Sequence, residues 1–122
     1  MYVSAESTWT QAGAGGPGNG AIIASASLMN VTVIVKTLTT VSGVPVVSLD
    51  ALMGDNQNVN LNPNTDTSWA AGAITTGLTV PTVAGTAASA TIVGVWRGLA
   101  PRVTWGTPGG SFTVQIAARD IN

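Results

Sequence analysis

The chain has 122 residues, only nine of which carry a formal charge, and it contains neither histidine nor cysteine. Most enzyme chemistry is excluded on that ground, because no imidazole titrates near neutral pH and no thiol serves as nucleophile, metal ligand or disulfide partner. A net charge of −1, with Lys36, Arg97, Arg102 and Arg119 as the only cations, gives no footprint for nucleic acid. No run nears the ~18 uninterrupted apolar residues of a membrane-spanning helix.

The first six residues show neither a basic nor an apolar stretch, so no export signal is expected. Residues 1–20 are expected to form a flexible N-terminal arm, centred on the low-complexity run GAGGPGNG at 13–20 and ordered on assembly. Gly13, Gly15 and Gly18 formally match a dinucleotide-binding GxGxxG. Pro17 interrupts that motif, however, and no strand precedes it or helix follows it. Residues 21–122 are expected to form one domain.

Seventeen Thr and fifteen Val stand against few long helix formers, which points to strands throughout. Residues 30–37 (NVTVIVKT) alternate, with Val31, Val33 and Val35 on one face and Thr32, Ile34 and Lys36 on the other, so that a strand covered on both sides is expected. After Ser42-Gly43 the run 44–50 (VPVVSLD) predicts a hairpin partner, with Pro45 marking an edge or a strand start. Asp50 and Asp55 then flank a short turn. Paired carboxylates of this kind can serve glycoside hydrolysis, but Asp in turns commonly caps its own backbone. Asp55-Asn56 offers too few oxygens for a calcium loop.

Residues 56–64 (NQNVNLNPN) place Asn56, Asn58, Asn60, Asn62 and Asn64 on one face, with Val59 and Leu61 on the other. This is either a polar ladder toward a neighbouring subunit or a sugar, or a solvated outer face ended by Pro63. Residues 89–96 (SATIVGVW) predict a further strand in which Gly94 marks a bulge or a close approach. Arg97 and Arg102 bracket the next four residues, placed either to pair with an acidic group on an adjacent subunit or as solvated turn positions. Residues 102–105 and 111–118 flank a Gly-rich turn and predict a hairpin whose Phe112, Val114, Ile116 and Ala118 face a core. Trp96 and Trp105 are expected in that core, and Trp9 and Trp69, beside Gly/Ala stretches, as interface anchors. The expected fold is an all-β antiparallel β-sandwich or jelly-roll-like barrel.

The ending Arg102-Val103-Thr104-Trp105, glycine turn, Ser111-Phe112-Thr113-Val114 resembles that of small β-sandwich virion proteins of tailed bacteriophages, the capsid decoration or cement type. The resemblance covers about the last 45 residues. An S-x-D-G-x-x-W stretch common in such proteins is not kept: Ser48-Leu49-Asp50 reaches Gly54 only after an insertion, and Trp69 lies further on. The resemblance implies a structural virion protein, made in the bacterial cytoplasm, that cements a capsid through contacts with the major capsid protein or other virion subunits. It also implies a homo-oligomer, a trimer being one closed form. Tail or head-fibre accessory proteins, and a carbohydrate-binding sandwich at a receptor-binding tip, are the alternatives. On this reading the chain uses no cofactor, metal or catalytic residue. Its subunit contacts fall at Trp9, Gly15, Pro17, Asn58, Asn60, Trp69, Arg97 and Arg102.

Overall fold

Leu28–Ser42 forms a 15-residue strand in which Met29, Val31, Val33 and Val35 are fully buried, while the alternate Thr32 and Ile34 stay half-exposed. β-Branched residues with a period of two leave the backbone no better arrangement than a pleat with one apolar face. A computed structural model describes residues 2–15, 19–23, 27–52 and 69–121, and this pattern recurs through them. The strands are β1 (Tyr2–Trp9), β2 (Gly13–Ala14), β3 (Ile22–Ile23), β4 (Leu28–Ser42), β5 (Val46–Leu52), β6 (Trp69–Thr79), β7 (Ala87–Val95), β8 (Gly98–Thr104) and β9 (Gly109–Asp120). Among the described residues there is no helix, and so none long and apolar enough to cross a membrane.

The strands form two antiparallel sheets. The front sheet runs β1-β9-β4-β7, and the back sheet runs β2-β8-β5-β6, with β3 also on β8. β2 and β3 lie along successive stretches of β8, opposite Arg102–Val103 and Gly98–Leu99, and together fill one strand position. Every connection except β2 to β3 and β5 to β6 crosses from one sheet to the other, which is the winding of an eight-position jelly roll. The sheets are not closed into a barrel. They face each other across one core built from Met29, Val31, Val33 and Val35 of β4, Val47 and Leu49 of β5, Leu99 and Val103 of β8, and Phe112, Val114 and Ile116 of β9.

Three expectations are corrected by this winding. Residues 2–9 are not an arm: β1 pairs with β9 over its whole length, from Tyr2↔Arg119 to Trp9↔Phe112. Its Ser7 and Trp9 face the core, where the apolar side chains of β9 would otherwise lie bare. Secondly, β4 and β5 are not a hairpin, because they belong to opposite sheets. Thirdly, β8 and β9 are likewise separated, although the face assignment of β9 holds residue by residue.

The two crossings at 43–45 and 105–108 brace each other. The Trp105 indole N–H donates to the Ser42 carbonyl at 2.7 Å, and its ring sits 5.3 Å from that of Phe112 at 55°. Gly43 has φ +83°, and a Cβ there would meet the Thr107 carbonyl oxygen at 2.0 Å. Only glycine permits both the left-handed backbone and that approach. Pro45 sits just ahead of β5, as a strand-start residue should, and its carbonyl accepts from Val80 N–H. Gly94 is a close approach and not a bulge. The β4–β7 register runs unbroken past Met29↔Gly94, and a Cβ there would fall 2.4 Å from the Trp96 indole.

Candidate functional site

Asp50 is the one fully buried charged side chain among the described residues. It faces outward from the back sheet, where water would normally reach it. Its burial follows from the register of β6, which pairs Leu49 with Ile74 and then Ala51 with Ala70, so that a bulge spans the position opposite Asp50. At the crest of that bulge Gly72 adopts φ +61° and donates its N–H to Asp50 Oδ1 at 2.6 Å. Arg102, one strand over on β8, completes the site with Nε to Oδ1 at 2.7 Å and Nη2 to Oδ2 at 2.9 Å. This fork-on-fork geometry is the strongest form of ion pair, and the hydrogen bond to Asp50 holds the Arg102 proton above its ordinary range.

The site therefore ties β5, β6 and β8 together, and both carboxylate oxygens are occupied. Asp50 is committed to that linkage instead of facing a substrate, and Asp55, its expected partner, lies outside the described residues. Arg102 is paired within its own chain, which corrects the expectation of an acidic partner on an adjacent subunit. Arg97 is half-buried at the turn between β7 and β8, where its backbone N–H donates to the Leu52 carbonyl at 2.9 Å. Among the described residues no cluster of three His, Cys, Asp or Glu side chains could hold a metal ion.

The expected interface residues divide clearly. Trp9 is 4 % exposed, packs in the main core and donates its indole N–H to Ser7 Oγ at 2.9 Å, so it is a core residue and not a surface anchor. Trp69 is buried as well, against Leu52 and Ala100 on the outer side of the back sheet. Small side chains next to a tryptophan leave room for its ring in the same way within a core as at an interface, and the local sequence is identical in both cases. Trp105 is in the core as expected, whereas Trp96 is only half-buried, packed against the core's rim. Gly15 is buried against Pro101: its N–H donates to the Pro101 carbonyl at 2.6 Å, and a Cβ would meet the ring at 2.8 Å. Pro17, Asn58 and Asn60 lie outside the described residues.

The outer face of the front sheet is open. Its cross-strand rows read Tyr2, Arg119, Asn30, Val93; then Ser4, Ala117, Thr32, Thr91; then Glu6, Gln115, Ile34, Ser89. Two shallow hollows of ≈ 310 and ≈ 270 Å³ dip between the longer side chains over Asn30, Thr32 and Ala117. They sit at the lower bound of small-molecule sites, about 300 Å³, and lie wide open to solvent instead of enclosing a ligand. They are relief on a flat face. At the end of this face Ser27 donates to Asp120 Oδ1 at 2.5 Å, joining the start of β4 to the end of β9 and holding the Asp120 carboxyl below the usual carboxylate range.

The feature that the local reading passed over is a run without charge. Between Asp66 and Arg97 there is no Asp, Glu, Lys or Arg. In the fold the described part of this run is β6, the 80–86 connection and β7, which together form one whole flank of the sandwich. Spacing along the sequence makes the run visible; only the topology makes it a single surface. On that surface Val93 and Val95 are 57 % and 51 % exposed. The described chain is thus a jelly-roll β-sandwich. No family model, no curated protein and no solved structure matches it.

Proposed function

We propose that this chain is a structural subunit of a larger assembly, of the kind that decorates and cements a bacteriophage capsid. The observation that carries the reading is the uncharged flank formed by β6, the 80–86 connection and β7. Charge on a surface keeps a protein apart from its neighbours, and a flank with none is a surface made to be covered. The jelly roll supports the reading by analogy, because two facing sheets with short crossings make the stiff tile that capsid proteins use. The resemblance of the C-terminal residues to phage decoration proteins adds the particular setting, and other virion subunits are the partners it implies. The alternative of a glycan-binding tip has less support, since Trp9 and Trp69 are both buried and present no aromatic face.

Antibodies raised against the purified chain provide the test, applied by immunogold labelling to phage particles concentrated from the culture of origin. Regular labelling over the heads is the expected result. Label on tail fibres alone would move the chain to the tail, and particles that carry none would overturn the proposal.

A further inference from the structure

A β-sandwich of two open sheets has four edges, and each exposes backbone N–H and C=O groups able to accept another strand. Three of the four edges here are guarded. β1 carries Glu6. β2 and β3 are two residues long each. β6 is broken by two register shifts, with Gly72 at φ +61° and Gly77 at φ +70° kinking its edge away from a straight ladder.

β7 has none of these devices. It is nine residues long, AASATIVGV, with no charge and no proline. Its register on β4 is unbroken from Leu28↔Val95 to Lys36↔Ala87, and among the described residues it pairs with no other strand. Its outward-facing side chains, Ala87, Ser89, Thr91, Val93 and Val95, are all exposed. Natural proteins blunt such an edge unless it is used.

We infer that β7 is the seat of a homodimer, in which the β7 strands of two copies pair antiparallel about a two-fold axis at Thr91 and join the two front sheets into one. The inference rests on the reading of the chain as an assembly subunit but not on the identity of the assembly. A second copy is the occupant that the strand itself selects. An antiparallel pair of identical strands is isologous, so one surface serves both partners and the contact closes on itself. Centring the axis on Thr91 sets Val93 beside Ser89 of the other copy, and Val95 beside Ala87. No like charges meet in that register, and the exposed valines are covered by small side chains. Two cations stand near the ends of the strand and neither on it: Lys36 lies one strand in from the edge beside Ala87, and Arg97 follows Val95 at the turn to β8. A basic or acidic peptide would gain no charged partner along β7.

Sedimentation equilibrium on the purified chain and on Thr91→Lys tests the inference, since lysine on an edge strand is the natural blocking device and two would meet at the axis. The wild-type chain is expected at twice its 12.2 kDa mass, and T91K at the single mass with a dissociation constant raised at least tenfold. A wild-type chain that stays at the single mass up to about 100 µM, or that forms any other closed oligomer, overturns the inference. So does a folded T91K that keeps the dimer. Because the chain has no cysteine, Thr91→Cys gives a second reading that does not depend on how lysine is tolerated. Opposed residues of an antiparallel pair have Cα atoms about 4.5–5.5 Å apart, within disulfide reach. T91C should oxidise to a covalent dimer, and Glu6→Cys, on the guarded edge, should not; equal cross-linking of the two overturns the inference. A monomer in solution would leave the labelling of particles untouched, so the two proposals fail separately.

Discussion

Cutting the Asp50–Arg102 pair from its two ends should have unequal consequences. Arg102→Met leaves a carboxylate of zero exposure with the Gly72 N–H as its remaining partner, while the methionine keeps the aliphatic stem over the sheet. An uncompensated buried charge of this kind costs about 3–5 kcal/mol. Asp50→Asn leaves instead a guanidinium whose side chain is 30 % exposed and can turn toward water, and the amide oxygen still accepts from Gly72. Its cost is that of weakened charge-assisted hydrogen bonds, about 1.5–3 kcal/mol. The double variant D50N/R102M buries no charge and should recover part of the loss seen in R102M alone. Against a total stability of ~5–15 kcal/mol, R102M removes a large share. At roughly 3–5 °C per kcal/mol for a chain of this length, its Tm should fall by about 10–20 °C. Urea unfolding at pH 7, followed by tryptophan fluorescence, measures all three. An R102M variant within 1 kcal/mol of wild type, or a D50N variant that loses more than R102M, would refute the reasoning.

Other outcomes follow from the same structure. Trp9→Ala should cost about 3–5 kcal/mol as a core truncation, read by chemical denaturation; loss of association with unchanged stability would return Trp9 to the surface. Gly94→Ala places a methyl against the Trp96 ring and should cost about 1–3 kcal/mol with a shifted fluorescence maximum, whereas an unchanged spectrum would deny the contact. Asn30 Oδ1 is buried without a hydrogen-bond partner in the described structure, so Asn30→Val should raise stability by about 1 kcal/mol in thermal melts. Asp120 binds its proton less readily folded than unfolded, so its contribution is full above the unfolded value, about 3.9, and is lost as pH falls through the lower folded value. Ser27→Ala should move the Asp120 carboxyl midpoint upward in an NMR titration and flatten that acid limb; an unmoved midpoint would assign the shift to another cause.

The elements were legible where a period of two was the whole signal. Along β9 the alternation names the buried residues one by one, and along β4 it separates Val31, Val33 and Val35 from Thr32, Ile34 and Lys36. Of the two readings open for Pro45 and for Gly94, strand start and close approach hold, edge and bulge do not. The N-terminal strand is harder to see in the sequence, because a glycine-rich stretch at 13–20 overshadows the alternation of Val3, Ala5, Ser7 and Trp9 before it. The two expected hairpins failed for a different reason. A tight turn between apolar strands looks the same whether the chain returns beside itself or steps across to the opposite sheet. What decides is which other strands claim each one: β9 is taken up between β1 and β4, and β5 between β8 and β6, and neither set of partners is a local property.

Composition and periodicity by themselves determined that the described chain is all-β and which face of β9 is buried. They also determined that its surface is poor in charge, because each of these depends on residue type and spacing alone. Tertiary structure decided which strands share a sheet, that Arg102 reaches Asp50 across 52 positions of sequence, and that β7 is left as an unguarded edge. A carboxylate is buried, or an edge exposed, only through what the rest of the chain brings beside it, and no window along the sequence contains that neighbour.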